Sequence, residues 1–239
     1  MPSPLALEDW GRVPYREALA RQRAAVDARA RGDSGDSLCL VEHEPVLTRG
    51  RAARAENLRA SAEELRRRGI DVVDVERGGD VTYHGPGQIV GYPVVALADL
   101  PGGRDLHRYL RDLEEALIRT LAAFGLRAGR RPPYTGVWVG EAKIAAIGVA
   151  VRRWISFHGF ALNLDPDLDH FQLIHPCGIR NLGVTSMRAL LGRATARDEV
   201  IAALGAAFSE VWQRPVIAVR GTPADLPRTV RTVPEALHA

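Results

Sequence analysis

Lysine is almost missing from this chain. Of its 32 basic residues, 31 are arginine and one, Lys143, is lysine. The two side chains are not interchangeable: arginine stays protonated, whereas lysine is a compact charge that can lose its proton and act as a base. A composition that writes arginine nearly everywhere therefore marks Lys143 as a candidate for chemistry. Cysteine is scarce as well, with Cys39 and Cys177 alone. Two thiols exclude a disulfide framework and fit a reducing cytoplasm. No run approaches the 18 or so apolar residues of a membrane span, and the N-terminal stretch lacks the basic start and apolar core of a signal peptide. Charge of one sign is also lacking: a formal net charge of +3 gives no argument for nucleic-acid binding.

What remains is ordinary globular material. The chain has 239 residues, 46% hydrophobic and 26% charged, enough to bury a full core. Residues 14–30 read as an arginine- and alanine-rich amphipathic helix ending near Gly32, and 37–43 as a strand in which Cys39 packs as a small apolar residue. Ser61 and Glu64 form a capping-box pattern opening a short helix that Gly69 closes. Strand signals follow at 70–76 and 88–97. A helix then starts at Asp105, with Leu106, Tyr109, Leu110, Leu113, Leu117 and Leu121 on one face, and Gly125 stops it.

Residues 136–151 form a hairpin pattern turning near Gly140 and Glu141, with Lys143 opening the second strand, and 154–165 continue the meander. Thr195, three residues before Asp198, is expected to cap a last helix to about Trp212, followed by a strand at 215–219. Hairpins dominate, so the expected fold class is α+β, with a mixed, largely antiparallel sheet flanked by helices. No linker composition divides the chain. One domain over 1–219 is expected, followed by a Pro-rich tail at 220–239 that is extended or frayed.

Three segments carry chemistry. Four glycines fall in Arg77-Gly-Gly-Asp-Val-Thr-Tyr-His-Gly-Pro-Gly-Gln88, between two strands, where the lack of a Cβ lets backbone approach a ligand. The segment is neither a P-loop nor a dinucleotide fingerprint. Two readings stand, a backbone cradle edged by Arg77 and His84 or a turn-rich hairpin. Second, Cys177 sits between Pro176 and Gly178, in loop context, where a nearby ammonium would favour the thiolate. Third, His158, His170, His175 and Cys177 have ligand chemistry, yet no Cys-x-x-Cys or His-x-x-x-His pair accompanies them, and neither metal nor cofactor is expected. His43, His107 and His238 read as surface or capping residues.

Four motifs in register resemble the lipoyl(octanoyl) transferase family: the stretch from Arg77 to Gln88, then Lys143-Ile-Ala-Ala-Ile-Gly148, His158-Gly-Phe-Ala-Leu-Asn163 and Pro176-Cys-Gly178. The resemblance runs from about residue 5 to 215. It implies the α/β domain shared with biotin- and lipoate-protein ligases. It also implies octanoyl transfer from octanoyl-acyl carrier protein to a lysine of a lipoyl domain of a 2-oxoacid dehydrogenase, or of the glycine-cleavage H protein, as the first step of endogenous lipoate synthesis. By that resemblance Cys177 is the acyl-thioester nucleophile and Lys143 lowers its pKa. Substrate-binding stretches fall on Arg77, Gly78, Gly79, Asp80, Val81, Thr82, Tyr83 and His84; on Ala146, Ile147 and Gly148; and on Gly159, Phe160 and Ala161, with His158 as an orienting residue. The arginine clusters at 66–68, 130–131 and 152–153 are candidates for steering an acidic carrier protein. An ATP-dependent lipoate–protein ligase is the nearest rival, a cysteine amidotransferase moving octanoyl between proteins the second, and a non-catalytic binding module the third. Cys177 argues against the ligase, because adenylate chemistry needs no thiol.

Overall fold

The computed structural model describes residues 3–175 and 183–219. In chain order the elements are β1 (Leu5–Arg12), α1 (Tyr15–Arg31), β2 (Ser37–Glu42), β3 (Val46–Arg49), α2 (Ala62–Arg67), β4 (Asp71–Asp74), β5 (Val81–His84) and β6 (Gln88–Val94). Then come α3 (Leu106–Ala122), β7 (Gly129–Arg131), β8 (Tyr134–Val139), β9 (Ala142–Arg152), β10 (Ile155–Asn163), β11 (Gly183–Val184), α4 (Met187–Leu191), α5 (Arg197–Trp212) and β12 (Val216–Val219). The main sheet has nine strands in the order β12-β1-β2-β6-β10-β9-β8-β7, with β11 added beside β9. Its β2-β6-β10-β9-β8-β7 run is antiparallel throughout, while β12, β1 and β2 are parallel. The expected α+β class with a mixed, largely antiparallel sheet is therefore what the chain forms. A second sheet, β4-β3-β5, packs with α2.

The two faces of the main sheet are covered differently. Leu113, Leu117 and Leu121 of α3 and Leu204, Phe208 and Trp212 of α5 fill one face, where Phe208 stacks on Phe160. Ala18 and Val26 of α1 cover the other, against Val41, Val90 and Ile155. Strands β6 and β10 are buried at every position, as expected of central strands covered on both faces. Local signals worked where their chemistry is local. Ser61 Oγ accepts from the Glu64 amide and Asp105 Oδ1 from the Arg108 amide, satisfying donors that a helix start leaves open.

Several expectations need correction. The last helix begins at Arg197 after Ala196, and no side chain caps it, so Thr195 does not play that part. Leu106 is exposed, since it stands at the first turn of α3, past the edge of the core. His43 is not a surface residue but fully buried: its Nδ1 binds the Val13 carbonyl at 2.7 Å and its Nε2 the Tyr92 hydroxyl at 2.6 Å. Two polar partners make a core position tolerable for an imidazole. His107 is exposed, and His238 lies outside the described residues. Cys39 is buried as expected, and burial pushes its thiol pKa up. The stretch 220–239 lies outside the described residues.

Candidate active site

Strand β9 carries the lone lysine, and a bulge decides where it points. Val137 pairs with Ala145 and Trp138 with Lys143, so Ile144 is an extra residue in β9. Side chains alternate between faces along a strand, and one added residue inverts the alternation. Ala145 thereby joins the core under α3 and α5, while Lys143 turns into a cavity of about 390 Å³. The lysine is nearly buried, and its Nζ lies 4.9 Å from the centroid of the Trp138 ring, within cation–π range. Gly136 is what lets its stem pass. At φ +128°, a Cβ there would stand 2.8 Å from the Ala145 carbonyl and 3.5 Å from Lys143 Cε. The Gly136 amide is held from behind by Glu114 of α3, at 3.0 Å.

The cavity lies along β9 and β10, under the glycine-rich segment. Of the predicted residues 77–84, all but Tyr83 line it, as do Ala146, Ile147, Gly148, Gly159, Phe160, Ala161, Lys143 and His158. Tyr83 faces the other way, into the small core with Leu47 and Leu173, where its hydroxyl meets His170 Nδ1 at 2.8 Å. Residues 81–84 are themselves strand β5, hydrogen-bonded to β3, so the segment is a strand and its flanking turns rather than a loop between two strands. Of the two readings, the close-approach one describes the geometry. The Gly78 amide donates to the Val149 carbonyl at 2.8 Å, and a Cβ on Gly148 would sit 2.9 Å from the Gly78 carbonyl oxygen. Arg77 braces this crossing by donating to Thr48 carbonyl and hydroxyl oxygens, both at 2.8 Å.

The cavity lining includes neutral imidazoles. Burial lowers the His84 pKa well below its ordinary value, with His43 and Arg77 adding to the shift. Burial likewise brings His158 down to about 4, against the pull of Glu76. His84 stacks on Tyr15 at 5.9 Å, and Tyr15 is pushed up to about 12 by desolvation. Tyr15, Tyr92, Gln88 and Asn163 also line the cavity and were not read from sequence as site residues. Gln88 and Asn163 carried a signal, being amides in apolar strands; they hydrogen-bond each other at 2.8 Å.

Cys177 lies outside the described residues, but both flanks of its segment are tied to this site. On the entering side, the His175 amide donates to the Asn57 carbonyl at 2.8 Å, and the Asn57 side chain donates to Asp80. On the leaving side, Gly183 and Val184 pair in parallel with Ala142 and Lys143. The Thr185 amide donates to the Lys143 carbonyl, and Asn163 binds the Thr185 carbonyl. His170 has Tyr83 and His158 has Glu76 as neighbours, and among the described residues no group of three or more His, Cys, Asp or Glu could hold a metal.

A sheet of this topology, with a buried lysine turned by a bulge into an apolar cavity beneath a glycine-rich crossing, defines the class. Residues 14–209 match the family described as Lipoyl protein ligase A/B catalytic domain, and the chain belongs to it. The fold is shared with lipoate-protein ligase A bound with ATP (22% identity, TM-score 0.70, 93% of this chain and 90% of that one). A bipartite lipoate protein ligase from Thermoplasma acidophilum is comparable (22%, TM-score 0.67, 92% and 88%). Within the class the sequence is more specific. It is 52% identical to the octanoyltransferase of Rubrobacter xylanophilus over 86% of this chain and 92% of that protein. It is 48% identical to that of Myxococcus xanthus over 93% of this chain, spanning 62% of the Myxococcus protein. The chain is a member of the octanoyltransferase family, and hence an acyltransferase.

Proposed function

We propose that this chain transfers an octanoyl group from octanoyl-acyl carrier protein to a lipoyl-domain lysine through a thioester on Cys177. The observation that supports the reading is the pairing of Gly183 and Val184 beside Ala142 and Lys143, so the chain resumes after residue 182 on the strand that bears the sole lysine. The catalytic unit is residues 1–219, and the setting is a cytoplasm that keeps both thiols reduced.

The chemistry balances without ATP. The Cys177 thiolate attacks the thioester carbonyl, the new C–S bond forms, the bond to the carrier sulfur breaks, and the carrier thiolate leaves as a thiol by taking the proton of the Lys143 ammonium. One thioester replaces another, so this step is close to isoenergetic. The acceptor amine then attacks, its proton passes to the neutral Lys143 amine, the amide forms and the Cys177 thiolate returns. Such ping-pong transfer is the behaviour of an activated cysteine. Lys143 serves twice, as an ammonium favouring the thiolate and as an amine accepting a proton; arginine has only the first ability. The acceptors are lipoyl domains of 2-oxoacid dehydrogenases and the glycine-cleavage H protein. Apolar lining residues, Val90, Ile147 and Phe160 among them, suit a hydrocarbon chain that offers no charge to hold.

Intact mass after mixing the enzyme with octanoyl carrier protein, without ATP, tests the route. The expected result is an octanoyl adduct that hydroxylamine removes and Cys177→Ala abolishes. No adduct, with transfer from free octanoate and ATP, would instead establish a ligase.

A further inference from the structure

The two ends of the cavity differ in chemistry. One end holds Lys143, Asn163 and Val184; the other holds His158, whose register partner is Val149. Six positions along β9 separate Lys143 from Val149, one of them the bulged Ile144, so the span is about 17 Å at 3.3 Å per regular residue. At a C–C bond length of about 1.5 Å, an extended eight-carbon chain is about 9 Å long, leaving the remainder to the reacting side chains and the end wall.

His158 forms that wall. It is 2% exposed, its Nε2 has no hydrogen-bond partner, and that atom lies 3.7 Å from Glu76 Oε2. Glu76 is in turn held by Arg23 at 3.0 Å at the protein surface. His158 is thus the group between the cavity and a solvent-facing ion pair. Its backbone is unusual for a strand, with φ +55°, and is held there by an amide hydrogen bond to Gln22 Oε1 at 2.9 Å and by stacking on Phe157. An acyl chain too long for the cavity would drive methylenes into this buried ring, whose held backbone cannot yield without overpacking.

We propose that His158, backed by Glu76, is the end stop that limits acyl chain length. The proposal rests on the acyl-transfer reading above, with the carbonyl at the Lys143 end. The test compares kcat/KM for carrier proteins bearing chains of eight, ten, twelve and fourteen carbons, in wild type and in His158→Gly. Glycine accepts a positive φ without a Cβ penalty, so the ring is removed and the backbone strain relieved together. A methylene that does not fit a pocket costs about 10–200-fold, so the twelve-to-eight-carbon ratio should rise at least about tenfold in the variant. A ratio, unlike a rate, is insensitive to partial loss of folded protein. His158→Asn, shorter but also tolerant of positive φ, should raise the ten-to-eight-carbon ratio and stands in if the glycine variant does not fold. Unchanged ratios in a folded, octanoyl-transferring variant overturn the end stop alone. Wild type that transfers no acyl chain from any carrier overturns the acyl-transfer reading beneath it.

Discussion

His43 is buried and neutral, and its pKa is brought down to about 4 by desolvation. An unfolded histidine titrates near 6.5, so between those values the unfolded state binds more protons and stability falls as pH falls. Between pH 7 and pH 5 this single group should remove about 2 kcal/mol of stability. Urea denaturation at the two pH values measures the loss, and His43→Gln should flatten it. The ring also faces His84 and Tyr15 under the cavity, so acid should loosen the site before it unfolds the chain. At Lys143, replacement by arginine preserves charge and removes the base. General-base transfer is worth about 10²–10⁴-fold, so Lys143→Arg should lower kcat/KM by at least about a hundredfold without altering secondary structure. Retained activity would remove proton transfer from its role. At Gly148, an added methyl would stand 2.9 Å from the Gly78 carbonyl oxygen, and neither backbone can yield freely. Gly148→Ala should cost about 1–3 kcal/mol by overpacking, seen as a lower thermal midpoint.

At the scale of elements, α3 reaches the site through one carboxylate. Glu114 is fully buried, accepts from Arg111 at 2.6 Å, Arg130 at 3.0 Å and the Gly136 amide, and so ties a helix to the strand that packs on Lys143. Removing it leaves a buried amide unpartnered, a cost of about 1–3 kcal/mol. Glu114→Ala should therefore lower Tm by several degrees, about 2–4 °C per kcal/mol in a chain of this size. It should also reduce acyl transfer at temperatures where the variant is fully folded, because the brace behind Gly136 positions the lysine stem. Transfer equal to wild type under those conditions would make Glu114 a stability element only.

For the whole molecule, charge is more balanced than the arginine count implies. Of the clusters considered for steering an acidic partner, Arg152 pairs with Asp27, Arg68 with Glu64, Arg130 with Glu114 and Glu115, and Arg131 with Glu141. Partly exposed pairs are screened and contribute little to stability, but each neutralises a cation at short range. Arg153 remains exposed at the β9–β10 turn. Reversing Arg152 and Arg153 to glutamate should raise KM for octanoyl carrier protein with kcat little changed, since steering acts on encounter. An unchanged KM would place the carrier elsewhere.

The sequence by itself determined the α+β class, the hairpin of β8 and β9, the caps of α2 and α3, and the segments that meet at the cavity. Each rests on periodicity, a capping side chain or a motif readable over a few residues. Only the tertiary structure decided which way those residues face. The extra Ile144 inverts the alternation of β9 and sends Lys143 into the cavity, and nothing in an apolar run announces a bulge. Tyr83 turns into the small core while Thr82 and His84 line the cavity, because residues 81–84 form a strand, paired with β3, along which side chains alternate. His43 is internal because Val13 and Tyr92, 30 and 49 residues away, supply its partners. Facing and partnership are long-range properties of packing, and a short window of sequence holds no record of them.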